Sequence, residues 1–96
     1  MLEKKHLKYL RSLAQQKKTI VWIGQNGLTG KVMEEIESAL QHHELVKISV
    51  RVGEREKRDE VIQQFCLQSG AELVQKIGNT ASIYRANITD PVIRLP

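Results

Sequence analysis

Large, mostly apolar side chains recur every three or four positions at the start of the chain, as they do on one face of an α-helix. The recurring positions are Leu2, His6, Tyr9, Leu10 and Leu13. This spacing predicts a first helix over residues 3–15. Residues 19–23 then form an apolar run that is rich in β-branched side chains. The run predicts a short strand covered on both faces, with Trp22 in the core.

The middle of the chain carries a second helical pattern and then an alternating one. Thr29 has the chemistry of a helix N-cap, and a helix is predicted from there to about His43. Its buried stripe is Val32, Ile36, Ala39 and Leu40. Over residues 45–52, valine and isoleucine alternate with more polar positions, among them Lys47, Ser49 and Arg51. Alternation of this kind predicts a half-buried strand with one polar face.

The last third of the chain predicts a helix followed by a hairpin. A third helix is predicted over residues 55–69, with Gly70 as the residue that ends it. The buried positions of this helix are Val61, Ile62, Phe65 and Cys66. Two strands follow at about residues 71–77 and 80–86, and Gly78-Asn79 between them is a two-residue turn sequence. Residues 87–96 are predicted to form an extended tail.

The predicted order of elements is α-β-α-β-α-β-β, which defines a mixed α/β (α+β) fold. The first two strands should be parallel, because a helix connects them in a right-handed crossover. The last two should be antiparallel, because only a tight turn joins them. A mixed four-stranded sheet with helices packed on it would bury every apolar face. A chain of 96 residues suits a single domain, and we expect one over residues 1–96.

Positive charge is concentrated at the N-terminal end. The chain has a formal net charge of +4. Residues 1–31 hold seven lysines or arginines against one glutamate, a net +6, so the other 65 residues sum to −2. A basic end on a mildly acidic body is the asymmetry expected of a protein that binds a polyanion. A solvated lysine-rich helix face would give the same composition and stays open as the alternative.

Other totals narrow the class of protein. The N-terminal residues lack the apolar stretch of a secretory signal, and the longest apolar run, residues 20–23, is far short of the roughly 18 residues of a membrane span. One cysteine, Cys66, excludes an internal disulfide and fits a reducing compartment. We therefore expect a cytoplasmic protein with no membrane partner. Only 4% of residues are aromatic, so for any nucleic-acid ligand the stacking of bases on exposed rings cannot be the main source of affinity.

The sequence Gly24-Gln25-Asn26-Gly27 lies between a predicted strand and a predicted helix. Glycines there let the backbone turn sharply and let a phosphate approach where a Cβ would collide with it. The free N–H groups of the first helical turn point toward such a phosphate, and the helix dipole attracts it. Gln25 and Asn26 can donate hydrogen bonds, and Lys31 adds a cation in the first turn. A Gly-x-x-Gly loop clamps single-stranded RNA in this way in KH domains.

The motifs in their order resemble those of the CRM domain, named for chloroplast RNA splicing and ribosome maturation. The resembling segments are Gly24-Gln25-Asn26-Gly27-Leu28-Thr29, Glu35-Ile36, Ala39-Leu40, His43-Glu44-Leu45-Val46-Lys47, Gln75-Lys76-Ile77-Gly78 and Ile83-Tyr84-Arg85. The resemblance as a whole extends from the first helix to about Arg85, and the form most similar is the stand-alone bacterial one. The family fold has the same order of elements as the periodicity predicts.

The resemblance implies RNA binding without catalysis, by an assembly or maturation factor that associates with precursors of the large ribosomal subunit. It places the RNA at residues 24–27 and at neighbouring basic residues, of which Lys31 is our first choice and Lys8 and Arg11 come next. Lys47 and Arg51 share one face of their strand and could extend the contact. Arg55, Lys57 and Arg58 could continue it, or could be solvated neighbours of Glu54, Glu56 and Glu60. We expect the free protein to be a monomer.

Two other classes of function compete with this hypothesis. The basic N-terminal helix could dock on an acidic protein partner, or the chain could be an RNA-modifying or RNA-cleaving enzyme. The sequence gives little support to an enzyme, because His43-Glu44 lacks the second histidine of a zinc-protease helix and Glu34 and Glu37 have no accompanying nucleophile. We expect no cofactor and no metal. Tyr84 is expected to pack in the fold, with stacking on a base as the open alternative.

Overall fold

Three helices and a four-stranded mixed sheet make up the fold of residues 2–96, which a computed structural model describes. The elements are α1 (Lys4–Gln16), β1 (Val21–Ile23), α2 (Gly30–His43), β2 (Leu45–Val50), α3 (Arg55–Ser69), β3 (Glu72–Ile77) and β4 (Thr80–Tyr84). This order confirms the predicted fold class. The helices lie within one residue of their predicted bounds, whereas the strands are one to two residues shorter at their ends.

The strands are arranged in the order β1-β2-β4-β3. β1 pairs with β2 in parallel, with Ile23 opposite Val50, because α2 carries the chain back across the sheet. β4 is antiparallel to both β2 and β3. The predicted parallel and antiparallel pairs are therefore confirmed, and β1 and β3 form the two edges of the sheet.

Helices cover both faces of this sheet. α2 and α3 pack on one face, where the main core contains Ile36, Leu40, Val46, Ile48 and Phe65. α1 packs on the other face over β2 and β3, where a smaller core contains Leu10, Ala14, Leu45, Val74 and Tyr84. The second core explains why the expectation of a half-buried strand with a polar face was wrong for β2: α1 packs over the first part of that face, so Leu45 is buried and Lys47 is half-buried.

The expected signals at turns and helix ends are confirmed. Thr29 caps α2, since its Oγ1 accepts a hydrogen bond from the N–H of Val32 over 3.2 Å. Gly70 ends α3 with a φ of 73°, in the left-handed region that glycine enters without a steric cost. A glycine also begins the turn between β3 and β4, where Gly78 has a φ of 59°.

Trp22 contradicts the expectation of a strand covered on both faces. Its side chain is 63% exposed, while its neighbours Val21 and Ile23 are buried. β1 is an edge strand, and α1 lies over β2 and β3, so none of the described helices packs on the face of β1 that carries Trp22. The expectation that Tyr84 packs in the fold is confirmed. α1 covers the face of β4 that carries this side chain, which is only 6% exposed.

The tail after Tyr84 has no regular secondary structure, and Glu44 anchors it. This glutamate ends α2 with a φ of 62° and is buried. Its carboxylate accepts hydrogen bonds from the backbone N–H groups of Asn87, Val92 and Ile93, at 2.6, 2.6 and 2.5 Å. Burial acts to raise the pKa of Glu44, but the three donors outweigh it and hold that pKa below its ordinary value.

Candidate nucleic-acid interface

The glycine loop, residues 24–27, connects β1 to the segment that leads into α2. The N–H of Gly27 donates to the carbonyl oxygen of Gly24 over 2.9 Å and closes a tight turn. Gly27 has a φ of 72°, so the turn itself requires a glycine there. Gly24 is different: its φ is not positive, and an added Cβ would meet no atom within 4 Å. The fold therefore does not require a glycine at position 24, and the space above it is open.

The N-terminus of α2 lies directly after this loop. The Thr29 side chain accepts a hydrogen bond from one N–H group of the first turn, and the other N–H groups there have no acidic residue beside them in that turn. Gln25, Asn26 and Lys31 are exposed. An uncompensated positive helix end, two side-chain amides and one lysine are therefore available to an anion at the same place.

Arg51 joins the loop from the neighbouring strand. Its backbone N–H donates to the carbonyl oxygen of Ile23 over 2.8 Å, which continues the parallel pairing by one residue beyond β2. The residue beside Arg51 is consequently Gly24, and the Arg51 side chain is exposed. Among the basic residues expected at the site, Lys31 and Arg51 are thus the two that the backbone brings nearest to the loop.

Further basic residues lie at the same end of the sheet. The carbonyl oxygen of Asn79 accepts from the N–H of Val50 over 2.6 Å, so the tip of the β3–β4 hairpin adjoins the end of β2. Beside it, a pocket of about 280 Å³ is lined by Arg55, Arg58, Asp59, Lys76 and Gly78. Lys76 forms an ion pair with Asp59 and lowers the pKa of that carboxyl group. Lys57 is exposed on the same first turn of α3.

Other expected residues lie away from the loop. Lys8 and Arg11 are on α1, which packs on the opposite face of the sheet from α2. Arg11 Nε donates to the carbonyl oxygen of Val74 over 3.0 Å. Lys47 Nζ lies 3.4 Å from the carbonyl oxygen of Ala14 and 3.5 Å from that of Lys17, at the C-terminal end of α1 where a cation is favourable. These three residues form a surface separate from the loop.

Glu37, His42 and Glu44, in or just after α2, make contacts within the fold. Glu37 pairs with Arg85 over 2.8 Å, and Glu44 binds the tail as described above. His42 Nδ1 lies 2.7 Å from the carbonyl oxygen of Ser38, one helical turn earlier. Within residues 2–96, no group of three histidine, cysteine, aspartate or glutamate side chains is placed to hold a metal ion. None of the helices described is both long and apolar enough to cross a membrane.

Trp22 is the residue of this region whose position the sequence did not reveal. It lies two residues before Gly24, on an uncovered face. An apolar run such as residues 19–23 favours burial, and only the edge position of β1 reverses that expectation. A run of three to five residues next to a glycine turn is the one feature of the sequence that could have suggested an edge strand.

The sheet order, the helix layers and the glycine loop together define a small mixed α/β domain with a Gly-x-x-Gly turn before a capped helix. The sequence profile of the CRS1 / YhbY (CRM) domain matches residues 2–85. The chain therefore belongs to the CRM domain family, which confirms the resemblance seen in the sequence.

Similar proteins come from several bacteria. The probable RNA-binding protein PA4753 of Pseudomonas aeruginosa is 37% identical over 86 residues, which cover 90% of this chain and 83% of that protein. An RNA-binding protein of Haemophilus influenzae is 38% identical over 95 residues, covering 99% and 95%. The probable RNA-binding protein YqeI of Bacillus subtilis is 33% identical over the full length of both chains.

A solved structure has the same fold. The solution structure of SAV1595 from Staphylococcus aureus superposes with a TM-score of 0.84 and is 33% identical in sequence, with both chains covered completely. Agreement over the full length means that the tail, as well as the residues that match the family profile, has a counterpart there.

Proposed function

We propose that this chain is a non-catalytic, cytoplasmic RNA-binding protein that forms a single domain over residues 1–96 and binds RNA phosphates at its glycine loop. Its relatives in Haemophilus influenzae and Bacillus subtilis are named as RNA-binding or probable RNA-binding proteins, and the match covers 95% or more of each relative's length. The family and the exposed cations at one end of the sheet support the same class of ligand.

One observation carries the choice of the loop. Gly24 is a glycine that neither the turn conformation nor a neighbouring atom requires, and it lies beside an uncompensated helix N-terminus. A ligand that approaches the backbone closely would account for it, and a phosphate oxygen has the charge that the helix end and the flanking cations Lys31 and Arg51 attract. Gln25 and Asn26 would donate hydrogen bonds to the same backbone.

The other basic residues would contact the RNA to different extents, according to their distance from the loop. Arg55, Arg58 and their neighbours extend the contact along the same end of the sheet. Lys8, Arg11 and Lys47 belong to the α1 side, and they contact RNA only where it continues around the edge of β1. An RNA held mainly by phosphate contacts should dissociate steeply as salt rises, because each neutralised phosphate releases counterions.

The proposed biological target is the precursor of the large ribosomal subunit, on which the protein would act as an assembly or maturation factor. The family resemblance supports this target. Cross-linking in cells followed by sequencing of the attached RNA tests it. Enrichment of large-subunit ribosomal RNA is the expected result, and reads spread evenly over cellular RNA would overturn the ribosomal assignment while leaving RNA binding intact.

A protein-docking role is the second candidate, and the position of α1 is the observation that favours it. Lys4, Lys5 and Lys8 are exposed on a helix that lies on the other side of the sheet from the glycine loop. An acidic protein could bind there. Co-purification from cells before and after RNase treatment separates the two roles: a complex that survives complete RNA digestion supports a protein partner, and a complex that disappears supports RNA.

Binding itself is tested with the purified protein. A double variant that replaces Gly24 with a bulky residue and carries Lys31→Glu should lose RNA affinity, with its helical and strand content unchanged, because neither position has the positive φ that Gly27 has. A folded double variant that binds RNA as tightly as the natural sequence would show that the loop is not the site. Turnover of RNA by the purified protein alone would contradict the absence of catalysis.

A further inference from the structure

Four residues from the four strands form one row across the α1 side of the sheet. Trp22 pairs with Ser49, Ser49 pairs with Thr80, and Thr80 pairs with Ile77. Directly paired residues present their side chains to the same face of a sheet. Ser49 and Thr80 therefore lie between Trp22 and Ile77, and we call these four residues the open row.

None of the three helices described within residues 2–96 covers the open row. α1 buries the next part of the same face, where Leu45, Val74 and Tyr84 pack beneath it, and α1 ends near Lys47. Beyond that point Trp22 is 63% exposed and Ile77 is 62% exposed, while Ser49 between them is buried. Two large apolar side chains thus flank a polar floor at the end of the sheet where the glycine loop lies.

Cations and hydrogen-bonding groups surround the open row. A shallow pocket of about 140 Å³ adjoins it and is lined by Gln15, Lys47, Gln75, Ile77, Thr80 and Ser82. Lys17 and Lys18 are exposed where α1 ends, and the Lys17 carbonyl oxygen lies 3.5 Å from Lys47 Nζ. Arg51 follows the strand that carries Ser49. The apolar residues are therefore framed by positive charge on two sides.

We propose that the open row is a platform for unpaired bases of the bound RNA, with Trp22 as the stacking residue. The proposal rests on the proposed function, since it assigns the bases of the same RNA whose phosphates the glycine loop would bind. Aromatic rings stack on the faces of unpaired bases, and flanking amides, hydroxyls and lysines can bond to base edges and to the backbone. Trp22 lies two residues from Gly24, so one strand of RNA can reach both.

The dimensions of the open row suit a short stretch of single-stranded RNA. Neighbouring strands are about 4.8 Å apart, so the backbones of Trp22 and Ile77 are separated by roughly 14 Å. That width accommodates about two nucleotides with their bases turned toward the sheet. The first would stack on Trp22, and the second would lie over Thr80 toward Ile77.

RNA fits this surface better than a protein partner or a second copy of the chain does. Protein–protein interfaces are depleted of lysine relative to the rest of the surface, whereas three lysines, Lys17, Lys18 and Lys47, border the open row. Strand addition at the edge is also poorly supported, because β1 offers only three residues to pair with. A second copy would bring the same lysines against one another.

The chain contains one tryptophan, so its intrinsic fluorescence reports on the platform directly. The probe is an unstructured single-stranded RNA of about ten nucleotides with a dye at one end, compared with an abasic strand of equal length and charge. We expect the complete RNA to quench Trp22 and the abasic strand to bind without quenching. Equal quenching by both strands, or none by either while both bind, would contradict stacking.

Variants separate the platform from the loop. Trp22→Ala should weaken binding of the complete RNA about tenfold and leave the abasic strand unaffected, and Trp22→Phe should restore most of the loss. Leu67→Ala is the matched control, because Leu67 is 85% exposed on α3, on the other face of the sheet. RNA affinity is measured by the anisotropy of the dye. Comparison with Trp22→Phe and Leu67→Ala excludes a loss of affinity that comes only from removing exposed apolar surface.

The outcomes distinguish failure of the platform from failure of RNA binding. If RNA binds, Trp22→Ala binds it as tightly as the natural sequence and the fluorescence does not change, the platform is wrong and the loop proposal stands. If neither strand binds, both proposals fall. A fluorescence change that depends on protein concentration without RNA would assign the open row to a second copy and overturn the platform.

Discussion

The backbone N–H of Arg51 donates to the carbonyl oxygen of Ile23 over 2.8 Å, and this bond places Arg51 beside Gly24. It extends the parallel pairing of β1 and β2 into the turn where the candidate interface lies. Backbone pairing thus brings an exposed arginine beside a glycine with open space above it, and the N-terminus of α2 follows the same loop in the chain.

The two glycines of the loop should respond differently to alanine. Gly27→Ala should lower the free energy of unfolding by about 1–2 kcal/mol, because an L-residue is strained at a φ of 72°. Gly24→Ala should leave it within about 0.5 kcal/mol, because the added methyl group meets no atom within 4 Å. Urea unfolding of the two variants measures both values. A larger loss at Gly24 than at Gly27 would show that the fold needs the first glycine after all.

Arg51 should contribute a phosphate contact that another exposed arginine does not. Arg51→Ala should weaken RNA binding and reduce the slope of log affinity against log salt by about 0.7–0.9, the value for one phosphate contact. Arg94→Ala removes the same side chain from the tail and should change neither quantity. Binding titrations at several salt concentrations give the slopes, and equal effects of the two variants would mean that only net charge matters.

The sequence predicted the elements because their signals are local. The spacing of apolar residues, the Thr29 cap, Gly70 and Gly78-Asn79 each act within a few positions, and the structure confirms them. Local signals of this kind could not predict that Trp22 is exposed or that α1 lies over Lys47. Both depend on which part of the sheet α1 reaches, and that is decided by packing between residues far apart in the chain.

The site shows the same division between local and distant causes. The sequence located the glycine loop and Lys31, because a turn and a helix start are adjacent in the chain. It grouped Arg51 with Lys47 as one strand face, whereas β2 ends at Val50 and leaves Arg51 at the loop. The role of Glu44 was hidden because its donors, Asn87, Val92 and Ile93, are more than 40 residues away.

The tail should be held by the charge of Glu44. Glu44→Gln should lower the free energy of unfolding by about 1–3 kcal/mol, since an amide cannot accept as well from three backbone donors. It should also speed hydrogen exchange at the N–H groups of Val92 and Ile93. Glu35→Gln, an exposed change on the same helix, should do neither. Unchanged exchange in Glu44→Gln would show that the tail is anchored elsewhere.

Acid should release the tail through the same group. The three donors hold the folded-state pKa of Glu44 below its ordinary value. Its contribution to stability is therefore complete above the ordinary glutamate pKa, roughly 4.3, and is lost as the pH falls through the lower folded-state value. Stability measured against pH should fall less steeply over that acid range in Glu44→Gln than in the natural sequence. Parallel curves would contradict the assignment.

Cys66 should be a slow nucleophile. Burial raises the pKa of its thiol to about 11, because the thiolate loses solvation between α3 and the sheet. Its reaction rate with a thiol reagent should therefore be well below that of a free cysteine at neutral pH and should still be rising above pH 9. A rate that levels off near pH 8.5 would mean that the thiol titrates as an exposed group does.

RNA binding at the glycine loop is tested most directly by the RNA affinity of a variant with a charge in the open space above Gly24. Gly24→Asp should retain the natural thermal stability and lose RNA affinity by at least about tenfold, since a carboxylate would repel the phosphate. Ala86→Asp, which adds the same charge at an exposed position two residues beyond the end of β4, should bind nearly as the natural sequence does. Equal affinities of the two folded variants would contradict RNA binding at the glycine loop.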